Sequence, residues 1–294
     1  MNLFEEKITY KDRKYIENSK NEALEYEWFY HCTKPDSLVS MIKSKEMWLS
    51  SLQKVNDMEE LKRVDVPQYE HSIFVGCFTY DSRVDTSHWS EYADLKDGVL
   101  FGLKRDWFNK NVTFLTEKNE KINEEPFHIF NSLNESLTFQ QNKIKENVII
   151  FNPYYIADFN FYKVRYNNKQ KSKIMGICNW GDIKGEEINL SAPGIIKDTS
   201  GECKGKDGKV YKKVWAIEKE IRLKVCITTI DKNRNENPPY FNRIAVSFNE
   251  NAFKEIPIWF SPEMSEEAKR KNINKIHLAL KEANIDNYRI IVNT

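Results

Sequence analysis

Three residues that lie far apart in the sequence have side chains suited to holding and transforming a ligand. His31 ends the apolar run Trp-Phe-Tyr-His, Tyr92 lies in the string His-Trp-Ser-Glu-Tyr-Ala, and Glu220 opens an alternating run of charged and apolar residues. A neutral imidazole offers one donor and one acceptor to a ligand hydroxyl. An aromatic ring at the mouth of a cleft stacks on a planar heterocycle. A carboxylate stabilises positive charge in a transition state or acts as a general base.

Two of these residues also have a structural interpretation that involves no ligand. A lone histidine at the end of an apolar strand, such as His31, is more often a core residue satisfied by a backbone carbonyl. Tyr92 follows His88 by one helical turn and is close to Trp89, so it also suits an aromatic residue that packs a short helix on a sheet. Neither residue decides between the two interpretations alone.

The string Glu-Lys-Glu-Ile-Arg places two carboxylates at the start of a predicted strand. From Glu220 onwards charged residues alternate with apolar ones, so Glu220, Arg222 and Lys224 share one face. One interpretation is a solvated face that carries charges of both signs. The other is that Glu218 and Glu220, after a turn containing Trp215, grip a ribose hydroxyl and stabilise an oxocarbenium-like transition state.

Apolar patterning predicts the elements that position these residues. Thr33 is the predicted N-cap of a helix that has Pro35 and Asp36 in its first turn. A second, short helix is capped by Asp85 or Thr86. The predicted elements of this half are strands at Trp28–Cys32, Met47–Leu49, Ser72–Phe78 and Gly98–Leu103, with helices after Thr33 and over Thr86–Ala93. This order favours a compact α+β core with a cleft between two halves of a sheet.

The remaining segments carry weaker patterns. We expect a single domain over residues 1–294, with a core at 28–103 and 210–292, a polar helical lead-in over 1–27 and a variable insertion at 104–209. In the insertion, Phe127–Leu137 keeps helical spacing and loops are predicted at Asn167–Lys173 and Lys197–Lys209. The other predicted elements are strands at Val148–Phe151, Phe161–Tyr166, Glu220–Thr228, Arg243–Phe248, Pro257–Phe260 and Tyr288–Val292, and helices at Val210–Ile217 and Ser265–Ala283.

Composition excludes several classes of protein. With 294 residues and 40% hydrophobic content, the chain can bury one large core or two modest ones. A net charge of +1 argues neither for nor against a nucleic-acid partner at the level of the whole molecule. The five cysteines form no Cys-x-x-Cys pair and the N-terminus has no apolar leader, so we expect reduced thiols and a cytoplasmic protein. The histidines do not cluster with cysteines at ligand spacings, so no metal site is predicted.

The order of these motifs resembles a bacterial domain family of unknown function, which in turn resembles the ADP-ribosyltransferase fold. The resemblance covers residues 28–103 and 210–228 and rests on His-x-Thr, Trp-Ser-x-Tyr-Ala, Gly-Val-x-x-Gly and Trp-x-x-Glu-x-Glu-x-Arg. The branch of that fold that contains diphtheria toxin and the poly-ADP-ribose polymerases carries a His-Tyr-Glu triad, and His31, Tyr92 and Glu220 match its three places in order. Where that branch has glycine after the histidine, this chain has Cys32.

The resemblance implies a fold, an activity and a site. The fold is α+β, with an ADP-ribosyltransferase-like split two-sheet core, a central cleft, a helical insertion and a C-terminal strand-helix-strand extension. The activity is transfer of ADP-ribose from nicotinamide adenine dinucleotide (NAD) to a macromolecule, in a toxin or an anti-phage defence effector, without a metal. Glu220 drives transfer, Tyr92 stacks on nicotinamide and His31 holds the adenosine-side ribose. The other residues expected to contact NAD are Cys32, Thr33, Ser90, Glu218 and Arg222.

Two alternatives to transfer stay open at this point, and so does the acceptor. An NAD glycohydrolase would use the same residues with water as the acceptor. A non-catalytic module would keep the fold and sense a nucleotide or a partner protein. The lysines just before the predicted catalytic strand form either a solvated loop or a basic patch that guides an anionic acceptor, with nucleic acid slightly favoured over protein. These lysines are Lys204, Lys206, Lys209, Lys212 and Lys213.

Overall fold

The described part of the chain is a mixed α+β structure dominated by antiparallel strands. The computed structural model describes residues 4–5, 18–51, 54, 73–115, 128–130, 148–151, 160–166, 175–180, 183–189, 196–197, 202–204, 210–212, 218–230 and 243–293. Residues 18–23 are helical, and the further helices are α1 (Pro35–Ser44), α2 (Thr86–Tyr92) and α3 (Glu266–Glu282).

Strands account for most of the regular structure. In chain order they are β1 (Phe4–Glu5), β2 (Trp28–Thr33), β3 (Glu46–Ser51), β4 (Ile73–Thr79), β5 (Val99–Lys104), β6 (Phe108–Leu115), β7 (His128–Phe130), β8 (Val148–Phe151), β9 (Asn160–Lys163), β10 (Arg165–Tyr166), β11 (Met175–Trp180), β12 (Ile183–Asn189), β13 (Ile196–Lys197), β14 (Glu202–Lys204), β15 (Val210–Lys212), β16 (Glu220–Ile230), β17 (Arg243–Phe248), β18 (Glu255–Phe260) and β19 (Arg289–Asn293).

Twelve of these strands form one branched sheet that is nearly divided in two. One part has the strand order β19-β18-β5-β2. In the other part β4 pairs with β16 and with β3, β3 pairs with β17, and β17 pairs with β6. The parts meet where β2 pairs with β4, and that ladder holds a single pair, Tyr30 with Thr79. With β5, by contrast, β2 pairs over its whole length, from Trp28 opposite Lys104 to Thr33 opposite Val99. The two parts of the sheet therefore separate next to His31.

The core lies on one face of this sheet and is closed by the two longer helices. Leu38 and Ile42 of α1 fall one turn apart and are fully buried, as the amphipathic spacing predicts. Ile276 and Leu280 of α3 join them in the same apolar cluster as the sheet residues. Across the exposed edge, Lys43 Nζ lies 2.8 Å from Glu282 Oε2, which links the end of α1 to α3.

The helix ends follow the chain's local chemistry with one correction. The predicted N-cap Thr33 is wrong, because Thr33 stays in the β2–β5 ladder and Lys34 occupies the N-cap position in extended conformation without a side-chain cap bond. Pro35 supplies the first helical position, where its missing N–H costs nothing. For α2 the cap is Asp85, whose side chain accepts a hydrogen bond from the His88 backbone N–H.

In the insertion, the helix predicted over Phe127–Leu137 is wrong where the structure describes it. All the regular elements that the structure describes between residues 104 and 209 are strands. His128–Phe130, inside the segment with helical spacing, pairs in parallel with β8, and the rest of Phe127–Leu137 lies outside the described residues. Aromatic and β-branched residues suit a sheet at least as well as a helix, so spacing alone misleads over such a short run.

Two other predictions around the insertion also need correction. Val210–Lys212 is a strand rather than the start of a helix, because it pairs with β14 in a hairpin that places Glu202 opposite Lys212. The same hairpin puts a strand inside the loop predicted at Lys197–Lys209. The loop predicted at Asn167–Lys173 lies outside the described residues. Of the predicted helical lead-in over 1–27, only 4–5 and 18–27 are described. The prediction is wrong at Phe4–Glu5, which is a strand, and residues 18–23 are helical.

The end of the chain follows the predicted strand-helix-strand order. β18 is an inner strand, antiparallel to β5 on one side and parallel to β19 on the other. α3 connects β18 to β19, and the Ser265 side chain caps it by accepting from the Ala268 backbone N–H. No helix among the described residues combines the length and apolar character needed to cross a membrane.

Gly98 lets the end of α2 approach the sheet closely, which gives the first prediction. A Cβ at Gly98 would lie 2.5 Å from the Asp94 carbonyl oxygen and 2.8 Å from Cε3 of Trp89. Gly98→Ala should therefore lower the free energy of unfolding by about 1–3 kcal/mol, measured by urea denaturation. Lys96→Ala, at an exposed neighbouring position, is the control and should change it by less than about 0.5 kcal/mol. Equal stabilities for the two variants would contradict this account.

Candidate functional site

A pocket lies at the point where the two parts of the sheet separate. It is lined by five of the residues that the sequence had singled out, which are His31, Cys32, Tyr92, Glu218 and Glu220. These come from β2, from α2 and from the start of β16. His31, Tyr92 and Glu220 all line this one pocket, and their chemical roles stay predictions. The cavity encloses about 60 Å³, which is room for part of a ring and too little for a whole dinucleotide.

The floor of the pocket is a row of side chains across three strands. Glu220 of β16 pairs with Thr79 of β4, and Thr79 pairs with Tyr30 of β2. Directly opposed residues of antiparallel strands point to the same face. All three residues line the pocket. Strand register therefore places Glu220 on the same face as Tyr30, with Thr79 of β4 between them.

His31 reaches across the gap between the strands. Its Nδ1 lies 2.9 Å from the backbone carbonyl oxygen of Cys77. A carbonyl only accepts, so Nδ1 carries the proton and Nε2 carries the lone pair. Burial lowers the pKa of His31, and the hydrogen bond to Cys77 opposes that effect only in part, so the ring is neutral. Both interpretations of His31 hold at once, since its ring is satisfied by a carbonyl and also lines the pocket.

Tyr92 is held in place by the packing of α2. Trp89, one turn earlier, is buried in a small cluster with Cys32 and Leu100. The Tyr92 hydroxyl donates to Glu218 Oε1. Burial raises the pKa of Tyr92, and the negative charges of Glu218 and Glu220 raise it further, so the hydroxyl stays protonated. Tyr92 thus presents its ring to the pocket and uses its hydroxyl to hold a carboxylate.

Cys32 occupies the place next to His31 where a glycine was implied by the resemblance. Burial raises the pKa of its thiol to about 12, so the side chain is neutral at physiological pH. It packs against Trp89 and Leu100. Cys32 therefore acts as a small apolar contact that joins α2 to β2 rather than as a nucleophile.

Glu220 and Arg222 form a buried ion pair on the pocket side of β16. Arg222 Nε lies 2.6 Å from Glu220 Oε1, and the two residues are 2% and 4% exposed. Lys224 on the same face is 2% exposed. The interpretation of this face as solvated is therefore wrong. β16 is an inner strand, and Arg222 lies between Cys77 of β4 and Tyr162 of β9, the latter also buried.

The turn before β16 has a backbone conformation that residues other than glycine seldom adopt. Lys219, between the two glutamates, has φ of 47°. This left-handed conformation costs a non-glycine residue free energy, and the surrounding contacts must offset it. The Lys219 carbonyl accepts from the Tyr80 backbone N–H, and Lys219 Nζ lies 2.6 Å from Asp81 Oδ2. The end of β4 thus fixes the turn that aims Glu218 and Glu220.

Three residues expected to contact NAD do not line this pocket. Thr33 lies farther along the β2–β5 ladder, where it pairs with Val99. Ser90 is exposed on α2. Arg222 is paired with Glu220. The pocket lining named above includes none of the three.

Five lining residues were missed by sequence reasoning. They are Tyr30, Cys77, Phe78, Thr79 and His88. His88 precedes Tyr92 by four residues on α2, and its ring centroid lies 4.8 Å from that of Tyr92, so helical spacing would have found it. The residues at the end of β4 carry no local signal, because their place beside Glu220 depends on the pairing of β4 with β16.

The described residues show no metal site. Within that part of the chain, no three His, Cys, Asp or Glu side chains come together as a metal ion would require. The polar side-chain groups that line the pocket are two imidazoles, two carboxylates, three hydroxyl groups and two thiols. This set suits hydroxyl and amide groups of an organic ligand.

Comparison of the chain with models of known protein families, with curated proteins and with solved structures finds no match in any of the three. The interpretation of the pocket rests on its own residues and geometry.

The Asp81–Lys219 pair gives a pH-dependent prediction. Burial tends to raise the pKa of Asp81, but hydrogen bonds from Lys219 and Arg83 outweigh it and lower that pKa to about 2. A carboxylate with a lowered folded-state pKa stabilises the fold above its unfolded pKa of about 3.9, and this contribution is lost as the pH falls through the folded value. Asp81→Asn should therefore lower the free energy of unfolding by about 1 kcal/mol at pH 7.

The measurement is urea denaturation of both proteins at several pH values. The difference between wild type and D81N should shrink as the pH falls from about 4 to about 2. Asp106→Asn, at an exposed turn, is the control and should differ from wild type by less than about 0.5 kcal/mol throughout. A D81N difference that stays constant down to pH 2 would contradict the assignment.

Proposed function

We propose that the pocket binds the nicotinamide end of NAD and that the protein transfers ADP-ribose to a macromolecular acceptor. The observation that carries this proposal is the convergence of His31, Tyr92 and Glu220, from three separate segments, on one pocket. The split of the sheet beside His31 further supports an ADP-ribosyltransferase-like core. A role as a toxin or an anti-phage effector in the cytoplasm follows from the resemblance and belongs to the same proposal.

In the proposed reaction the bond between the ribose C1′ and the nicotinamide nitrogen breaks. Its electron pair leaves with nicotinamide, and the ribose develops oxocarbenium character. The carboxylate of Glu220 stabilises that charge, and the acceptor nucleophile then forms a bond to C1′ and releases its proton to a carboxylate or to solvent. The Nε2 lone pair of His31 accepts from a ribose hydroxyl, and the ring of Tyr92 stacks on nicotinamide.

Two alternatives use the same pocket. With water as the acceptor, the same residues would make an NAD glycohydrolase. A module without catalysis would sense a nucleotide or a partner protein, and the version that senses a partner protein is favoured by one observation, which is that the cavity of about 60 Å³ is too small for a whole dinucleotide. In addition, the Tyr92 hydroxyl is bound to Glu218, and Glu220 is bound to Arg222. A whole dinucleotide would have to widen the pocket.

Replacement of Glu220 separates catalysis from binding. Glu220→Gln keeps the shape of the side chain but removes its negative charge, so nicotinamide release from NAD should fall by at least about 10²-fold. It also leaves Arg222 buried without that countercharge, at a cost of about 3 kcal/mol or more in the free energy of unfolding. Release is measured by chromatography under conditions where circular dichroism shows the variant to be folded.

The control and the possible outcomes distinguish the three candidate functions. Glu263→Gln makes the same chemical change at an exposed turn and should leave release unchanged. Release that depends on a macromolecular acceptor indicates transfer, and release in buffer alone indicates hydrolysis. No release with any acceptor, together with NAD binding, supports the sensing module. Unchanged release by E220Q would contradict the role of Glu220 in stabilising the oxocarbenium ion. Glu218 would then be the candidate for that role, and Glu218→Gln would test it.

The acceptor is proposed to be a nucleic acid guided by the lysines before β16. Lys204 and Lys212 lie on the β14–β15 hairpin, and Lys206, Lys209 and Lys213 lie outside the described residues. Each phosphate contact releases counterions, so affinity for single-stranded RNA should fall steeply as salt rises. Changing Lys206, Lys209 and Lys213 together to Ala should flatten that dependence, measured by fluorescence anisotropy, and leave NAD binding unchanged. RNA binding that is insensitive to salt, or to the triple change, would contradict this acceptor.

A further inference from the structure

Arg222 is a buried charged residue that contacts Glu220 but does not line the pocket. Its guanidinium is almost fully buried, and Nε lies 2.6 Å from Glu220 Oε1. Arg222 is absent from the pocket lining, whereas Glu220 is part of it. The two side chains are two residues apart on one strand, so β16 presents them side by side on the same face. Arg222 can therefore affect the pocket through its contact with Glu220.

Removal of a carboxylate from water favours its protonated form. Glu220 is 4% exposed, and a protonated Glu220 could not stabilise an oxocarbenium ion. A guanidinium at hydrogen-bond distance opposes protonation and also fixes the direction of the carboxylate. The groups around Glu220 include further titratable and polar side chains, which are Tyr30 and His31 of β2, Cys77 and Thr79 of β4, His88 and Tyr92 of α2, Glu218 before β16 and Lys224 on β16.

We propose that Arg222 is a positioning residue, which keeps the Glu220 carboxylate ionised and aimed into the pocket without touching the ligand. This inference rests on the proposed function, because it assigns to Arg222 the task of preparing Glu220 for that reaction. It replaces the expectation that Arg222 binds the dinucleotide directly. The contact involves Nε, so the side-chain geometry of arginine matters as well as its charge.

The test titrates Glu220 directly and needs no activity. The protein is labelled with ¹³C at glutamate carboxyl carbons, and the Glu220 signal is assigned as the one missing from E220Q. In Arg222→Gln the pKa of Glu220 should rise by about 1–3 pH units relative to wild type. Lys224→Gln is the matched control, since it removes one positive charge from the same buried face. K224Q should move the pKa of Glu220 much less than R222Q does.

Kinetics provide the second readout. In R222Q the acid limb of the pH profile of nicotinamide release should move to higher pH by the same amount as the Glu220 signal. Arg222→Lys keeps the charge and is the variant measured if R222Q does not fold. R222K should lower kcat by about 10-fold or more with little change in KM, because Arg222 does not touch the ligand.

The outcomes separate this inference from the proposed function. An unchanged Glu220 titration in R222Q, an equal shift in K224Q, or a rise in KM that matches the fall in kcat would each overturn the positioning role. If the wild-type protein releases no nicotinamide at any pH, with or without a macromolecular acceptor, the proposed enzyme is refuted. The titration of Glu220 would then still decide whether Arg222 holds that carboxylate ionised.

Discussion

The site depends on the separation of β2 from β4 after a single shared pair. Buried backbone groups must find partners, and a ladder that stops leaves a carbonyl such as that of Cys77 without its next strand. The imidazole of His31 donates to that carbonyl across the gap. His31 therefore lines the pocket and also provides a hydrogen-bond partner for a backbone carbonyl at the split. Another residue at position 31 would have to provide both a donor to Cys77 and an acceptor for a ligand.

The charged groups of the pocket persist in a buried setting because each is held by a neighbour. An isolated buried charge is costly, and proteins keep such groups paired and hydrogen-bonded. Arg222 pairs with Glu220, and the Tyr92 hydroxyl, which stays protonated, donates to Glu218. The left-handed turn at Lys219 belongs to the same arrangement, since it sets the direction of both glutamates. Each of the two carboxylates of the pocket is thus held by a specific neighbour, Glu220 by Arg222 and Glu218 by Tyr92.

Local patterns in the sequence predict the elements of the site, and long-range pairing decides what those elements bring together. The apolar run ending at Phe78, the cap at Asp85 and the alternation after Glu220 each correspond to a described element. The same alternation predicts a solvated face, which is wrong because burial depends on β9 and β4, strands remote in sequence. The helix predicted near Phe130 fails for a related reason, as its partner β8 decides the structure.

The choice between an enzyme and a sensing module depends on the space in the pocket more than on its hydrogen bonds. A carboxylate accepts up to about four hydrogen bonds, so one donor from Tyr92 does not exhaust Glu218, nor does Arg222 alone exhaust Glu220. Space is the tighter restriction, because the cavity measures only about 60 Å³, and Tyr92 is among its lining residues. α2 contacts the sheet through Trp89 and carries Tyr92 on a helix of only two turns. Tyr92 therefore lies on a separate short element, whereas His31 and Glu220 lie on paired strands.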